Sequence, residues 1–388
     1  MNPKRFSIFS YMMIISFINS YAQDTHSVEK KSEIKTWFDI PHKTPGQLFM
    51  WPHRIVTYEI TRNHPIKYDT NYIQSYSKRL VVTLPVSTHF LQFSLHDLKT
   101  GNRLAFNPNM QYNLGVSVSS RWASFTVNAL KLSNSDISTK GKTNYKDYQF
   151  NFYGRKITTD LFVQYYSGFY IGNSKSYTAY TNSNPAKYDI RKDVNALNVE
   201  VSTYYIVNHK KFSYRNSFGF TERQKKSAGS VLLGVYYSYF NANANPGLVT
   251  LPFRNSFNQA SYISNGATQN FGLNIGYIYT LVYKKFYATA SLVQGIGGEY
   301  VAYKRDDNSN YFKLVAGGGK LNIRTGLGYD NGRYFIGTMG IFEYFLFNGN
   351  LSSTFNYTSG KFLAYVGYRF SILKDEKKML RKMKLIDY

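Results

Sequence analysis

The chain has 388 residues, of which 43% are hydrophobic and 18% aromatic, with 37 Tyr and 29 Phe. Its mean hydropathy is nevertheless −0.37, and no apolar run after residue 22 approaches the roughly 20 residues that a membrane helix needs, which excludes a helical membrane protein. The absence of cysteine excludes a disulfide framework and a lipid anchor on Cys, while 47 Lys+Arg against 22 Asp+Glu, a formal +25, favours polyanionic neighbours.

The first element is Lys4-Arg5, then a mostly apolar run from Phe6 to Ile18, then Ser20-Tyr21-Ala22. A charged start, an apolar stretch too short to span and a small-x-small site predict a signal peptide over 1–22 rather than a core helix. In an exported chain the expected anions are outer-membrane lipids, anionic lipid A headgroups included, or a polyanionic surface glycan, and not nucleic acid. The plainer alternative is lysines that solvate loops and turns.

Residues 23–77 carry a polar, charged stretch from Ser27 to Lys35 and prolines at 41, 45, 52 and 65. With little alternation, they predict a periplasmic segment or partial plug. From there, 78–370 read as an all-β transmembrane antiparallel up-and-down β-barrel. Leu197, Val199 and Val201 alternate with Asn198, Glu200 and Ser202, and Phe271, Leu273, Ile275 and Tyr277 alternate with Gly272, Asn274 and Gly276. The same period places Phe362, Ala364, Val366, Tyr368 and Phe370 toward lipid and Arg369 inward. A soluble sandwich also alternates, but aromatic pairs such as Tyr165-Tyr166, Tyr204-Tyr205, Tyr236-Tyr237 and Tyr239-Phe240 fit girdles at strand ends.

Connections should alternate between short and long. Tyr283-Lys284-Lys285 and Asp330 to Arg333 are short, and Asn241 to Gln269 and Phe347 to Gly360 are long. The long stretch Gly172 to Val194 and two short turns near His209 and Lys225 break the parity, which calls for an unassigned strand or one long periplasmic connection. The expected strand number is even and near 12. The ending Tyr368-Arg369-Phe370 is of the kind that barrel-assembly machinery reads. Residues 371–388, with six Lys/Arg and three acids, predict a basic periplasmic tail.

Two groups of residues are candidate binding sites. A hairpin centred on Asn208 and His209 would set Glu200 opposite Ser217 and Ser202 opposite Arg215, so that Glu200 and Arg215 bridge diagonally inside the lumen. The block Glu222, Arg223, Gln224, Lys225 and Lys226 is either a tight turn or a rim cluster that binds an anionic group. The seven histidines show no metal spacing, and neither G-x-S-x-G nor a P-loop occurs. No Ser and His stand at matched strand depth. No cofactor, metal or catalytic residue is expected.

Three stretches carry a resemblance: Tyr68-Asp69-Thr70-Asn71-Tyr72-Ile73 with Tyr76 and Leu80, Phe106-Asn107-Pro108-Asn109 with Leu114-Gly115, and Lys211 to Arg215 with Thr221 to Ser230. They resemble a family of predicted outer-membrane barrels from Bacteroidetes catalogued only as a domain of unknown function. The resemblance implies the barrel and the outer membrane, and it implies no activity. The expected function is a non-enzymatic channel, binding or scaffold barrel. The alternatives are a lipid A or phospholipid-modifying barrel enzyme and a structural or adhesive surface protein.

Overall fold

The computed structural model describes residues 67–76, 79–120, 123–132, 136–181, 187–347 and 352–371. The expected signal peptide, most of 23–77 and all but the first residue of the tail lie outside these.

The strands, in chain order, are β1 (Ile73–Ser75), β2 (Arg79–Asp97), β3 (Arg103–Asn107), β4 (Tyr112–Ser120), β5 (Ala123–Lys131), β6 (Asn144–Tyr153), β7 (Ile157–Ile171), β8 (Asp189–Ile206), β9 (Glu222–Gln224), β10 (Ala228–Asn243), β11 (Ile263–Tyr283), β12 (Phe286–Arg305), β13 (Asn310–Asp330), β14 (Tyr334–Phe347) and β15 (Ser353–Ser371). All but β1 and β9 join one sheet, in which β15 also pairs with β2, so the sheet closes. The closed ring runs β2, β3, β7, β8, β10, β11, β12, β13, β14, β15, ten antiparallel strands, an even number somewhat below twelve. Strands β4, β5 and β6 lie outside it as a second route from β2 to β7. Along that route β5 and β6 share, among the described residues, a single residue pair, Ala123 with Phe152. The wall thus has ten strands at one end and twelve at the other.

The twelve-stranded end carries the tight turns at 284–285 and 331–333 and is here named the turn end; the loop end carries 172–188 and 244–262. Parity is restored by one long connection at the turn end, residues 207–227. The turns read near His209 and Lys225 are its two ends. The loop expected from Phe347 to Gly360 is mostly strand, because Phe355 and Tyr357 pack into the lumen while β15 pairs with β14 and β2. The loop expected from Asn241 to Gln269 shrinks to 244–262 for the same reason: β10 and β11 stay paired from Ala228 to Asn243.

Alternation sets the faces as anticipated. Phe362, Val366 and Phe370 are exposed on the outside, and Arg369 is buried inside. The adjacent aromatic pairs do something else. Tyr166, Tyr204, Tyr236 and Phe240 point into the lumen, each next to an outward neighbour; Tyr204-Tyr205 stands at the end of β8, whereas Tyr236-Tyr237 lies in the middle of β10. Since successive side chains take opposite faces, an aromatic pair fills the interior as well as the girdle. Inside, the rings form two apolar layers. Phe93, Phe106, Phe240, Phe345, Phe355 and Tyr357 lie toward the loop end, and Tyr153, Tyr204, Phe212, Tyr214, Phe335 and Tyr365 toward the turn end.

Arg369 fixes the turn end. Its two terminal nitrogens donate to the two oxygens of Asp330 at 2.8 and 2.7 Å, and its Nε donates to the Phe220 carbonyl at 3.0 Å. The guanidinium lies between the rings of Tyr76 and Phe335, at 4.2 and 4.4 Å. Fork geometry and stacking both need arginine. Arg369→Met is expected to cost about 3–5 kcal/mol by stranding Asp330, and Arg369→Lys less, read from denaturant midpoints of the refolded barrel.

Candidate functional site

The lumen between the two ring layers is ionic. Inward positions of β13 supply Lys320, Asn322 and Arg324, alternating with the outward Leu321 and Ile323. Lys320 pairs with Glu200 of β8 and, at 3.4 Å, with Glu343 of β14, and donates to Ser202 at 2.7 Å. Arg324 meets Asp160 of β7 at 2.7 Å, Glu343 at 3.5 Å and the Tyr214 hydroxyl at 2.6 Å. Lys361 of β15 enters the same layer within electrostatic reach of Asp160 and Asp147. The cavity beside it holds about 10 Å³, no more than a water molecule. These groups neutralise one another across the barrel, which leaves none of Glu200, Lys320 or Arg324 poised toward a ligand.

Glu200 therefore has the predicted face and a different partner. Arg215 is not on a wall strand: residues 215–218 form one helical turn, and β8 pairs with β7 and β10 instead. The predicted hairpin fails because Phe212, Ser213, Tyr214, Asn216, Ser217 and Phe218 are all buried. A segment enclosed on every side belongs inside the barrel and not in its wall. Arg215 donates to the Tyr153 carbonyl and, at 3.3 Å, to Glu222, which also takes Arg155 and, at 2.5 Å, the Ser213 hydroxyl.

The block from Glu222 to Lys226 is neither a tight turn nor a single cluster. Glu222, Arg223 and Gln224 form β9, paired with β1 as Ser75 to Glu222, Gln74 to Arg223 and Ile73 to Gln224. The buried Gln224 amide donates to the carbonyls of Lys211 at 2.7 Å and Lys226 at 2.9 Å and accepts from the Ser213 N–H at 2.8 Å. Lys225 donates to the Thr70 carbonyl at 2.9 Å, and Lys226 lies over the Tyr72 ring. Glu222 and Gln224 hold the insert in shape, which leaves Arg223 facing outward from it.

Arg223 opens onto a cleft of about 530 Å³ at the turn end, lined by Gln74, Tyr76, Arg79, Arg223, Asn331, Gly332, Arg333 and Ser371. Among the described residues no carboxylate lines it. Asp330 below is committed to Arg369 and to the Gly332 N–H at 2.7 Å. Gly332 has φ +94°, and a Cβ there would stand 2.9 Å from the Tyr76 hydroxyl, so glycine serves both the turn and the space. The Tyr76 hydroxyl is buried without a hydrogen-bond partner among the described residues. Burial pushes its pKa above the ordinary range against the pull of Arg369, so it remains a donor. Sequence reasoning found Arg223 and missed Arg79 and Arg333. The signal available was the Asp330-Asn331-Gly332-Arg333 turn, but nothing local says that residues 79, 223 and 333 converge.

A Ser and a His do meet, contrary to expectation. On the outer face of β2 near the loop end, Ser94 Oγ is 2.9 Å from His96 Nε2. Asn356 Nδ2 of β15 approaches the same nitrogen at 3.4 Å. No hydrogen bond to His96 Nδ1 is found among the described residues.

Lys320→Met is expected to cost about 3–5 kcal/mol, because Glu200 and Glu343 would lose their shared cation. Adding Glu200→Gln should restore part of that. The temperature at which the folded band converts on semi-native gels reads both.

Among solved structures, the chain is similar to the outer membrane protease OmpT from Escherichia coli at 8% identity, covering 76% of this chain and 98% of that one with a TM-score of 0.38. It is similar to the translocator domain of the autotransporter NalP from Neisseria meningitidis at 8% identity, covering 84% and 96% with a TM-score of 0.29. For the toluene transporter TodX of Pseudomonas putida the values are 9%, 80%, 100% and 0.25. Likeness at this level assigns neither activity nor ligand. No curated protein matches. A family profile described as a domain of unknown function (DUF4421) matches residues 67–370, and with the greater part of its length so matched, the chain belongs to that family.

Proposed function

We propose that this protein is an outer-membrane β-barrel with a sealed lumen, a non-enzymatic binding or scaffold barrel that works from its turn end and not as a passive channel. The observation that carries this reading is the interior: among the described residues it is filled by two aromatic layers with the Lys320 and Arg324 ion pairs between them. The membrane setting is supported by the outward band on the turn-end half, where Ile275, Tyr277, Leu281, Leu292, Ile336 and Val366 are exposed. A contiguous exposed apolar band of this extent needs lipid around it. Both ends of the barrel sequence, Arg79 and Ser371, emerge at the turn end, which we assign to the periplasm by the pattern of short periplasmic turns and longer outer loops. Outer-membrane lipids, lipid A among them, would then meet the loop-end girdle, and assembly machinery would read Tyr368 and Phe370.

In planar bilayers the purified protein should show no steady conductance. A reproducible ohmic step from the wild type would overturn the sealed lumen. Leu292 is 57% exposed near the middle of the band, where an arginine costs ~2–4 kcal/mol. Leu292→Arg should therefore lower the unfolding free energy of the barrel in vesicles by that amount.

A second reading, a lipid A or phospholipid-modifying enzyme, has one observation in its favour, the Ser94 and His96 pair. A nucleophile needs its base oriented by a third group and donors for the oxyanion, and the pair has neither among the described residues. Ser94→Ala separates the readings: loss of a phospholipid hydrolase activity present in the wild type would favour the enzyme.

A further inference from the structure

We propose that the turn-end cleft is a binding site for a phosphate group, held by the guanidinium groups of Arg79, Arg223 and Arg333 and the hydroxyl of Tyr76. This rests on reading the turn end as the working face and names the chemistry bound there.

Three segments far apart in sequence bring donors to one glycine. Arg79 Nη1, from the start of β2, is 3.4 Å from the Gly332 carbonyl oxygen. Arg223 Nη1, from β9, is 4.0 Å from where a Cβ on Gly332 would stand, and the Tyr76 hydroxyl is 2.9 Å from that point. Arg333 follows in the same turn and lines the cleft. Neither Arg223 nor Arg333 has an ion pair among the described residues. Two side-chain acceptors of the turn are already used. Asp330 takes Arg369 and Gly332, and Asn331 Oδ1 takes the N–H groups of Arg333 and Tyr334, each at 2.9 Å. The buried Tyr76 hydroxyl adds a donor with no acceptor among the described residues, a condition that buried polar groups rarely hold.

Charge and shape select the ligand. Three guanidinium groups with no lining carboxylate among the described residues call for more than one negative charge in a compact group, and their forks suit tetrahedral oxyanions. Lys225 and Lys226 do not line the cleft, whereas Arg79, Arg223 and Arg333 do, with Arg79 also on the Gly332 carbonyl and Arg333 also over the Tyr368 ring, so the cations of the site are arginines. A volume of about 530 Å³ admits a phosphate carrying a small polar group such as glycerol or one sugar. That group could belong to a soluble phosphorylated compound or to a phospholipid headgroup.

The test is calorimetric titration of the full-length protein, refolded in zwitterionic detergent, with inorganic phosphate, glycerol 3-phosphate and monomeric dihexanoyl phosphatidylglycerol. Saturable binding that weakens as salt rises is expected for at least one of them. Tighter binding of glycerol 3-phosphate marks the soluble source, and tighter binding of the lipid marks the headgroup. Arg223→Gln and Arg79→Gln should each weaken binding at least tenfold and Tyr76→Phe severalfold, with Lys285→Gln at a neighbouring turn unchanged. Heat-modifiability on gels establishes that each variant is folded. No saturable binding of any probe, or full affinity in folded Arg223→Gln, would overturn the site. A conducting wild type that still binds phosphate would overturn the sealed lumen and leave this site standing.

Discussion

Everything inside this barrel is arranged around the ion pairs that Lys320 and Arg324 make across it. β13 stands well round the ring from β7 and β8, so Lys320 to Glu200 and Arg324 to Asp160 are struts between facing walls and not ladders between neighbours. Charges in such a place are tolerated when each has a counter-charge and hydrogen bonds for its remaining atoms. Here Ser202, Asn322 and Tyr214 supply part of those bonds, while Glu200 Oε2 and Glu343 Oε2 have none among the described residues. The aromatic layers on either side keep water from the struts. The struts in turn hold the walls at the spacing that lets Phe345 stack on Tyr357 and Tyr357 on Phe240.

How far the sequence could be read depended on whether an interaction was local in the sheet. Period two placed Glu200 inside, Val199 outside, Arg369 inside and Phe370 outside, because in a closed wall the face follows from parity alone. Partnership is another matter. A diagonal rule reaches the adjacent strand, and the partner of Glu200 lies 120 residues away across the lumen. Nothing in the chain near Lys320 points to it. The error at Arg215 has the same root. Phe212, Tyr214 and Phe218 alternate as a wall strand would, and the segment is buried because the barrel is wide enough at that end to take it in. The anion-binding reading of Glu222 to Lys226 divides for a related reason: in β9 Glu222 and Gln224 point into the insert and only Arg223 points away.

Two of the three stretches that carry the family resemblance meet in space, while the third, around Phe106, lies at the loop end. Tyr68 to Ile73 lies against residues 210–226 through β1 and β9, with Asp69 N–H on the Lys210 carbonyl and Lys225 N–H on that of Tyr72. Through Tyr76 this assembly stacks on Arg369, and through Arg369 it is tied to Asp330 and the last strand. The first and last parts of the barrel sequence and its one long turn-end connection are therefore a single unit. That unit contains the most specific local sequence in the chain and borders the arginine cleft.

The unequal strand count at the two ends has a mechanical side. A ring of hydrogen-bonded strands resists parting in proportion to the length of each seam, and β11 is bonded to β12 from Ile263 to Tyr283. Among the described residues, the seam between β5 and β6 is closed at Ala123 and Phe152 alone. Under any strain that widens the turn-end mouth, this seam yields first, since parting it breaks the least backbone pairing. The barrel is thus a hoop with one weak stitch. A side passage between bilayer and interior would begin there, next to Tyr153, which packs against the insert through Tyr214.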